Sequence, residues 1–189
     1  MKLKHWIVYF IAGLGSIVRP VYAGDKVLIY TRNGEGYVHD NIAASVAALQ
    51  RICVQHHWET EVTDDPQVFT DQSLQQFIAV IFSNSNNQAF ISDEQRLAFV
   101  RYIQAGGAFV GIHSACASER MWPWFWSMIG GRFVRHPVLQ SFDIAVIDPE
   151  HPSTHFLSNP WKWEDECYFI DHLNPDIRVL LAVDLRTLQ

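Results

Sequence analysis

The chemistry-bearing residues of this chain are mainly histidines, and one of them sits in an unusual place. In "FVGIHSACASE" (Phe109 to Glu119) an apolar run stops at His113 and turns into small residues. In many α/β enzymes such a turn presents a Ser or Cys nucleophile. Imidazole titrates near neutrality, so here the turn offers a general acid, a general base or a metal ligand. The alternative is a structural histidine whose ring bonds a loop carbonyl. His39 carries the same two readings, and "RHP" and "EHPSTH" add His136, His151 and His155. "WEDECYF" sets Glu164, Asp165 and Glu166 among aromatic residues. Carboxylates held against apolar walls can have raised pKa values and work as acids or bases.

Histidines with nearby carboxylates also form the donor set of a divalent ion such as zinc, with His113, His39 and His136 as candidates. No pair has the HExxH spacing, and His113 with Cys116 is a weak ligand pair. The cluster Trp122, Trp124, Phe125 and Trp126 reads as core or lid packing. Its functional reading, with Trp124 in view, is stacking on the apolar face of a sugar.

The elements that must position these residues are legible from patterning. "KVLIYT" is a short apolar run followed by the Gly-containing turn "RNGEGYVHD". Asp40 or Asn41 can cap a helix whose Ile42, Val46, Leu49 and Cys53 share one face. "WETEVT" alternates as a second strand, Thr70 to Phe77 as a short helix, and "AVIFSNSNN" as a third strand. "SDEQ" has capping-box spacing before a helix that Gly106 and Gly107 stop, and "AFVGIHSA" is a fourth strand. Strand and helix in alternation, with continuous apolar strands, predict an α/β fold: a doubly wound, mostly parallel sheet with helices on both faces. Further on, "SFDIAVID" and "IRVLLAVD" read as strands. In open parallel sheets ligands bind beyond the carboxyl ends of the strands. That rule sends His39, Ser83, Asn84, Asn86, His113, Ser114 and Glu119 to one crevice.

A chain of 189 residues, 49% hydrophobic, has room for one domain with a proper core. Residues 1–23 stand apart: Lys2 and Lys4 precede an apolar stretch, Ile7 to Val18, and "VYA" offers a cleavage site before Gly24. This is the layout of a secretory signal peptide, so the expected location is exported, periplasmic or secreted, with an uncleaved anchor as the alternative. Cleavage removes Lys2, Lys4 and Arg19 and no acid, taking the formal net charge from −6 to −9. Such a surface suits neither nucleic acid nor, after cleavage, the membrane. Cys53, Cys116 and Cys167 are an odd number without framework spacing, and Cys53 reads as a small core residue.

The series "GYVHDNI", "FTDQSL", "FVRYIQAGGAFVGIHSA", "WPWFWSMIGGRF", "RHP", "DPEHPST" and "WEDECYF" resembles the ThuA-like, or trehalose utilisation, domain from about Lys26 to Asp184. The resemblance implies a class I glutamine amidotransferase-like (flavodoxin-like) fold over residues 24–189. It also implies that His113 stands where amidotransferases carry their cysteine, and Cys116 lies three residues too late to replace it. Glutamine amidotransfer is therefore not expected. The motif residues carried over are His39, His113, His136, His151, Asp165 and Glu166. Family members usually continue into a further His-Pro and a Gly-His segment, whereas this sequence stops at Gln189, so a C-terminally incomplete domain is expected.

The family association points to sugar metabolism, particularly 3-keto derivatives of trehalose and related glucosides. The expected activity is proton transfer on a small-molecule glycoside or its 3-keto form. His113, Glu166 and Asp165 are the expected catalytic groups, and His39, Asn84, His136 and Trp124 the binding groups. No Gly-x-Gly-x-x-Gly fingerprint occurs, which argues against nicotinamide binding. The competing readings are a sugar-binding module without turnover and an inactive remnant.

Overall fold

Period-two burial organises the first strand. In β1 (Lys26–Tyr30), Val27 and Ile29 face one side of a sheet while Leu28 and Tyr30 face the other, and all four are buried. The computed structural model describes residues 25–189; the segment expected to be a signal peptide, residues 1–23, lies outside the described residues. β1 is central in a parallel four-stranded sheet with β2 (Glu59–Thr63), β3 (Phe77–Ser83) and β4 (Ala108–Ile112), in the order β2-β1-β3-β4. Helices α1 (Ile42–Gln55), α2 (Asp71–Leu74) and α3 (Asp93–Gln104) make the crossovers.

The two faces are filled differently. On one, Val46, Leu49 and Cys53 of α1 pack on Val27, Ile29 and Ile81. The other is aromatic: Phe69, Phe82, Phe90 and Phe99 join Tyr30 and Phe125, the last from α4 (Pro123–Ile129). Phe69 meets Phe90 edge-on with ring centroids 4.7 Å apart, a geometry worth about 0.5–1.5 kcal/mol beyond area burial.

Capping follows the sequence with two differences. Thr70 and Ser92 cap α2 and α3 by accepting from the backbone N–H of Ser73 and Gln95. The Gln95 side chain reaches one residue further back than a capping box requires, accepting from Ile91 N at 2.9 Å. Asn41 occupies the cap position of α1, but its side chain makes no capping hydrogen bond.

Beyond Glu119 the chain leaves the parallel sheet. β5 (Arg132–Arg135) pairs antiparallel with β8 (Phe169–Asp171); β6 (Gln140–Val146) pairs antiparallel with both β7 (Trp161–Asp165) and β9 (Leu181–Val183). The apolar run "IRVLLAVD" thus contributes only three strand residues, and these join β6, not the parallel sheet. All three cysteines are free, and Cys53 is buried as a core residue. Among the described residues no helix is long and apolar enough to cross a membrane.

Candidate functional site

β4 runs directly into a 3-10 turn, His113–Ala117, and His113 itself has a left-handed backbone, φ 51°. A left-handed non-glycine residue costs roughly 1–2 kcal/mol, so something nearby must hold it. The holder is Glu119, itself at φ 49° and buried. One of its oxygens accepts from Ala89 N and Phe90 N at 3.0 Å each, and the other accepts from Arg96 Nε at 2.9 Å. These bonds tie the end of the turn to the loop after β3. The loop after β1 is tied in as well, since Gly34 N donates to Asn86 O at 2.9 Å. A Cβ on Gly34 would stand 2.4 Å from Gln88 N, so only glycine permits this approach.

Four segments bring side chains to one place: the loop after β1 (His39), the turn after β4 (His113), the residues after β5 (His136) and the link between β7 and β8 (Glu166, Tyr168). His113 Nε2 lies 2.9 Å from His39 Nε2, 3.1 Å from the Tyr168 hydroxyl and 3.8 Å from Glu166 Oε2. The other Glu166 oxygen lies 3.6 Å from His136 Nδ1. That nitrogen is also 2.8 Å from the Pro137 carbonyl, to which it can donate. Tyr37 meets the His39 ring edge-on at 4.9 Å, and His136 stacks on Tyr168 at 5.5 Å. Beside this cluster opens a cavity of about 370 Å³ lined by His39, His136, Glu166, Tyr168, Asn86 and Arg120, among others. Arg120 is held by Ala117 O and Asn87 Oδ1 and lies over Phe133; among the described residues it pairs with no carboxylate.

Burial, and after it the neighbouring His39, push the His113 pKa below the usual imidazole value, against the opposing pull of Asp165 and Glu166. The ring is thus biased toward its neutral form, which can accept a proton or ligate a cation. Burial drives the Tyr168 hydroxyl well above its ordinary range, so it stays protonated. The Cys116 thiol is raised to about 11, mainly by burial, and donates to the His113 carbonyl at 3.3 Å. A thiol so raised is no nucleophile at neutral pH.

His39 Nε2, His113 Nε2 and a Glu166 oxygen all lie within 4.8 Å of one another, so these three residues could hold a divalent ion. The arrangement can therefore exchange protons between polar groups, or polarise a substrate oxygen, inside a half-enclosed crevice.

The model of the trehalose utilisation family, ThuA, matches residues 26–189. The chain belongs to the ThuA family. A ThuA-like structure from Bacteroides uniformis superposes with a TM-score of 0.72 at 24% identity, covering 89% of this chain and 72% of that one. Another from Parabacteroides merdae gives 0.63 at 20% identity, covering 85% and 68%. At those identities the likeness shows the α/β fold. No curated protein matches the chain.

Of the residues singled out in the ThuA sequence, the structure brings His39, His113, His136, Glu166, Asn86 and Ser114 to the crevice. Others it places elsewhere. Asp165 accepts from Glu166 N and Trp163 Nε1, which makes it a positioning group for the strand end. Trp124 packs against Phe99 and Trp122 in the aromatic core, so its expected role as a stacking face for a sugar gives way to core packing. Asn84 is 1% exposed with both side-chain polar atoms unpartnered, and it does not line the cavity. Ser83 bonds Ser45, Glu119 anchors the turn, and His151 and His155 bond within their own loop. Sequence reasoning missed Tyr37, Arg120, Phe133 and Tyr168 as site residues. The signal for Tyr168 was present, two positions after Glu166 in "WEDECYF".

Proposed function

We propose that the crevice binds a small sugar, a glucoside or its 3-keto form, and transfers a proton on it. The observation that carries this reading is the convergence of His113, His39, Tyr168, Glu166 and His136 at the carboxyl ends of a ThuA-family sheet. A 3-keto group acidifies the adjoining C2–H. A base takes that proton, the electron pair forms the C1–C2 double bond as the C1–O bond breaks, and an acid returns a proton to the departing oxygen. His113 and Glu166 are suited to the proton-accepting and proton-returning roles, with Tyr168 between them at 3.1 and 3.5 Å. His39 and His136 orient hydroxyls. The same reading takes the protein as exported, on the strength of the basic and apolar segment at residues 1–23.

The test is an assay of the purified full chain against trehalose and 3-keto-glucosides, following product by chromatography and binding by calorimetry. Turnover that falls at least about 100-fold in His113→Ala supports the enzyme. Sugar binding without product makes the domain a binding module. The absence of both binding and product with either sugar class overturns the proposal.

A further inference from the structure

We infer that His39, His113 and Glu166 form a mononuclear divalent-cation site. The inference rests on the reading above only for where the sugar lies. Its first support is a crowding problem. A neutral imidazole nitrogen has either one proton or one lone pair to offer. His113 Nε2 nevertheless faces His39 Nε2 at 2.9 Å and the Tyr168 hydroxyl at 3.1 Å, with Glu166 Oε2 at 3.8 Å behind them. One hydrogen bond cannot serve all of these. A cation between them satisfies both nitrogens and the carboxylate at once.

Two histidines and one carboxylate are also a recurrent three-protein-ligand set that leaves a coordination position open to water or substrate. At metal–nitrogen lengths of about 2.0–2.1 Å, nitrogens 2.9 Å apart subtend about 90° at the ion. Tetrahedral spacing asks for about 3.4 Å, so the rings need part by only about 0.5 Å. Part of the ligand set is held in place, while His39 Nδ1 is buried with no hydrogen-bond partner among the described residues. His113 is fixed at a left-handed turn, and His136 Nδ1 lies 3.6 Å from the carboxylate oxygen on the side away from His113. The cavity adjoins the cluster, giving the open position somewhere to face.

The experiment titrates Zn²⁺ and Co²⁺ into the chelator-stripped full chain by calorimetry, with the Co²⁺ absorption spectrum as an independent readout of coordination. One equivalent is expected. His39→Ala, His113→Ala and Glu166→Gln each weaken it at least about tenfold, while His155→Ala leaves it unchanged. Zn²⁺ is also expected to raise the thermal midpoint of the wild-type chain and not that of His39→Ala, whose own cooperative melting transition shows that the variant folds. No binding up to millimolar Zn²⁺, or equal binding by wild type and all three site variants, overturns the inference. Sugar binding to the stripped protein is measured alongside. Sugar bound without metal leaves the functional reading standing alone, and metal bound without sugar does the reverse.

Discussion

The parallel sheet has a cavity at each end, and the larger is not the one the proposed function uses. At the amino ends of β3 and β4 about 440 Å³ is enclosed by Asp71, Phe77, Arg101, Tyr102 and Gly107, among others. Its charges are spoken for: Arg101 grips Asp71 through two 2.8 Å bonds, and the Tyr102 hydroxyl, raised to about 12 mainly by burial, donates to the Ala108 carbonyl. The cavity at the carboxyl ends is smaller, about 370 Å³, but one nitrogen there faces several competing partners and Arg120 has no carboxylate partner among the described residues. Left-handed residues gather at that end too: Asn84, Asn87, His113 and Glu119. Volume says where a molecule could fit; unsatisfied polar groups and strain say where the fold has kept something for a ligand.

The largest effect is expected where the working end is bolted to the scaffold. Glu119→Ala leaves Ala89 N, Phe90 N and the Arg96 guanidinium without their acceptor, and Glu119 is 7% exposed. A loss of about 3 kcal/mol in unfolding free energy is expected by denaturant titration, together with loss of sugar binding. If stability falls and binding survives, the turn is not what positions the site.

Next comes His113→Ala, expected to cut turnover at least about 100-fold while changing stability by less than about 1 kcal/mol. Activity and denaturation curves of the same preparation check both halves. At the opposite end, Asp71→Asn is expected to leave turnover and sugar affinity unchanged and to shift the thermal midpoint within experimental scatter, because the pair is solvent-exposed. A matching loss of activity in Asp71→Asn would abolish the contrast between the ends.

Much of this contrast could be read in the chain. The continuous apolar run "KVLIY" and the Ser92 cap are local signals, and they produced the strands and helices of the parallel half. The strand-end rule then found His39, Asn86, His113 and Ser114. It failed for Ser83, Asn84 and Glu119 because it brings a segment to the crevice without saying which of that segment's side chains turn into the fold instead. Trp124 was misplaced for a related reason: apolar area suits a sugar face and a hydrophobic core equally, and only contact with Phe99 decides. Antiparallel pairing of β5 to β9 depends on long-range register that no short window carries.

The smallest expected effect is also the most specific to the working end. Because His113 holds φ 51°, its backbone is one that glycine adopts freely and alanine does not. His113→Gly and His113→Ala remove the same imidazole, so both are expected to lose turnover. Their stabilities should nevertheless differ, with the glycine variant more stable by about 1 kcal/mol despite glycine's greater chain entropy when unfolded. Paired denaturant titrations read the difference directly. A more stable alanine variant would mean that the turn relaxes once the imidazole is gone, making the side-chain cluster the cause of the strained backbone and not its beneficiary. Gly106, φ 92° at the amino end, supplies the reference: Gly106→Ala should lose stability for the same backbone reason while leaving turnover untouched. Left-handed backbone at one end of the sheet would then be tied to function, and at the other only to ending a helix.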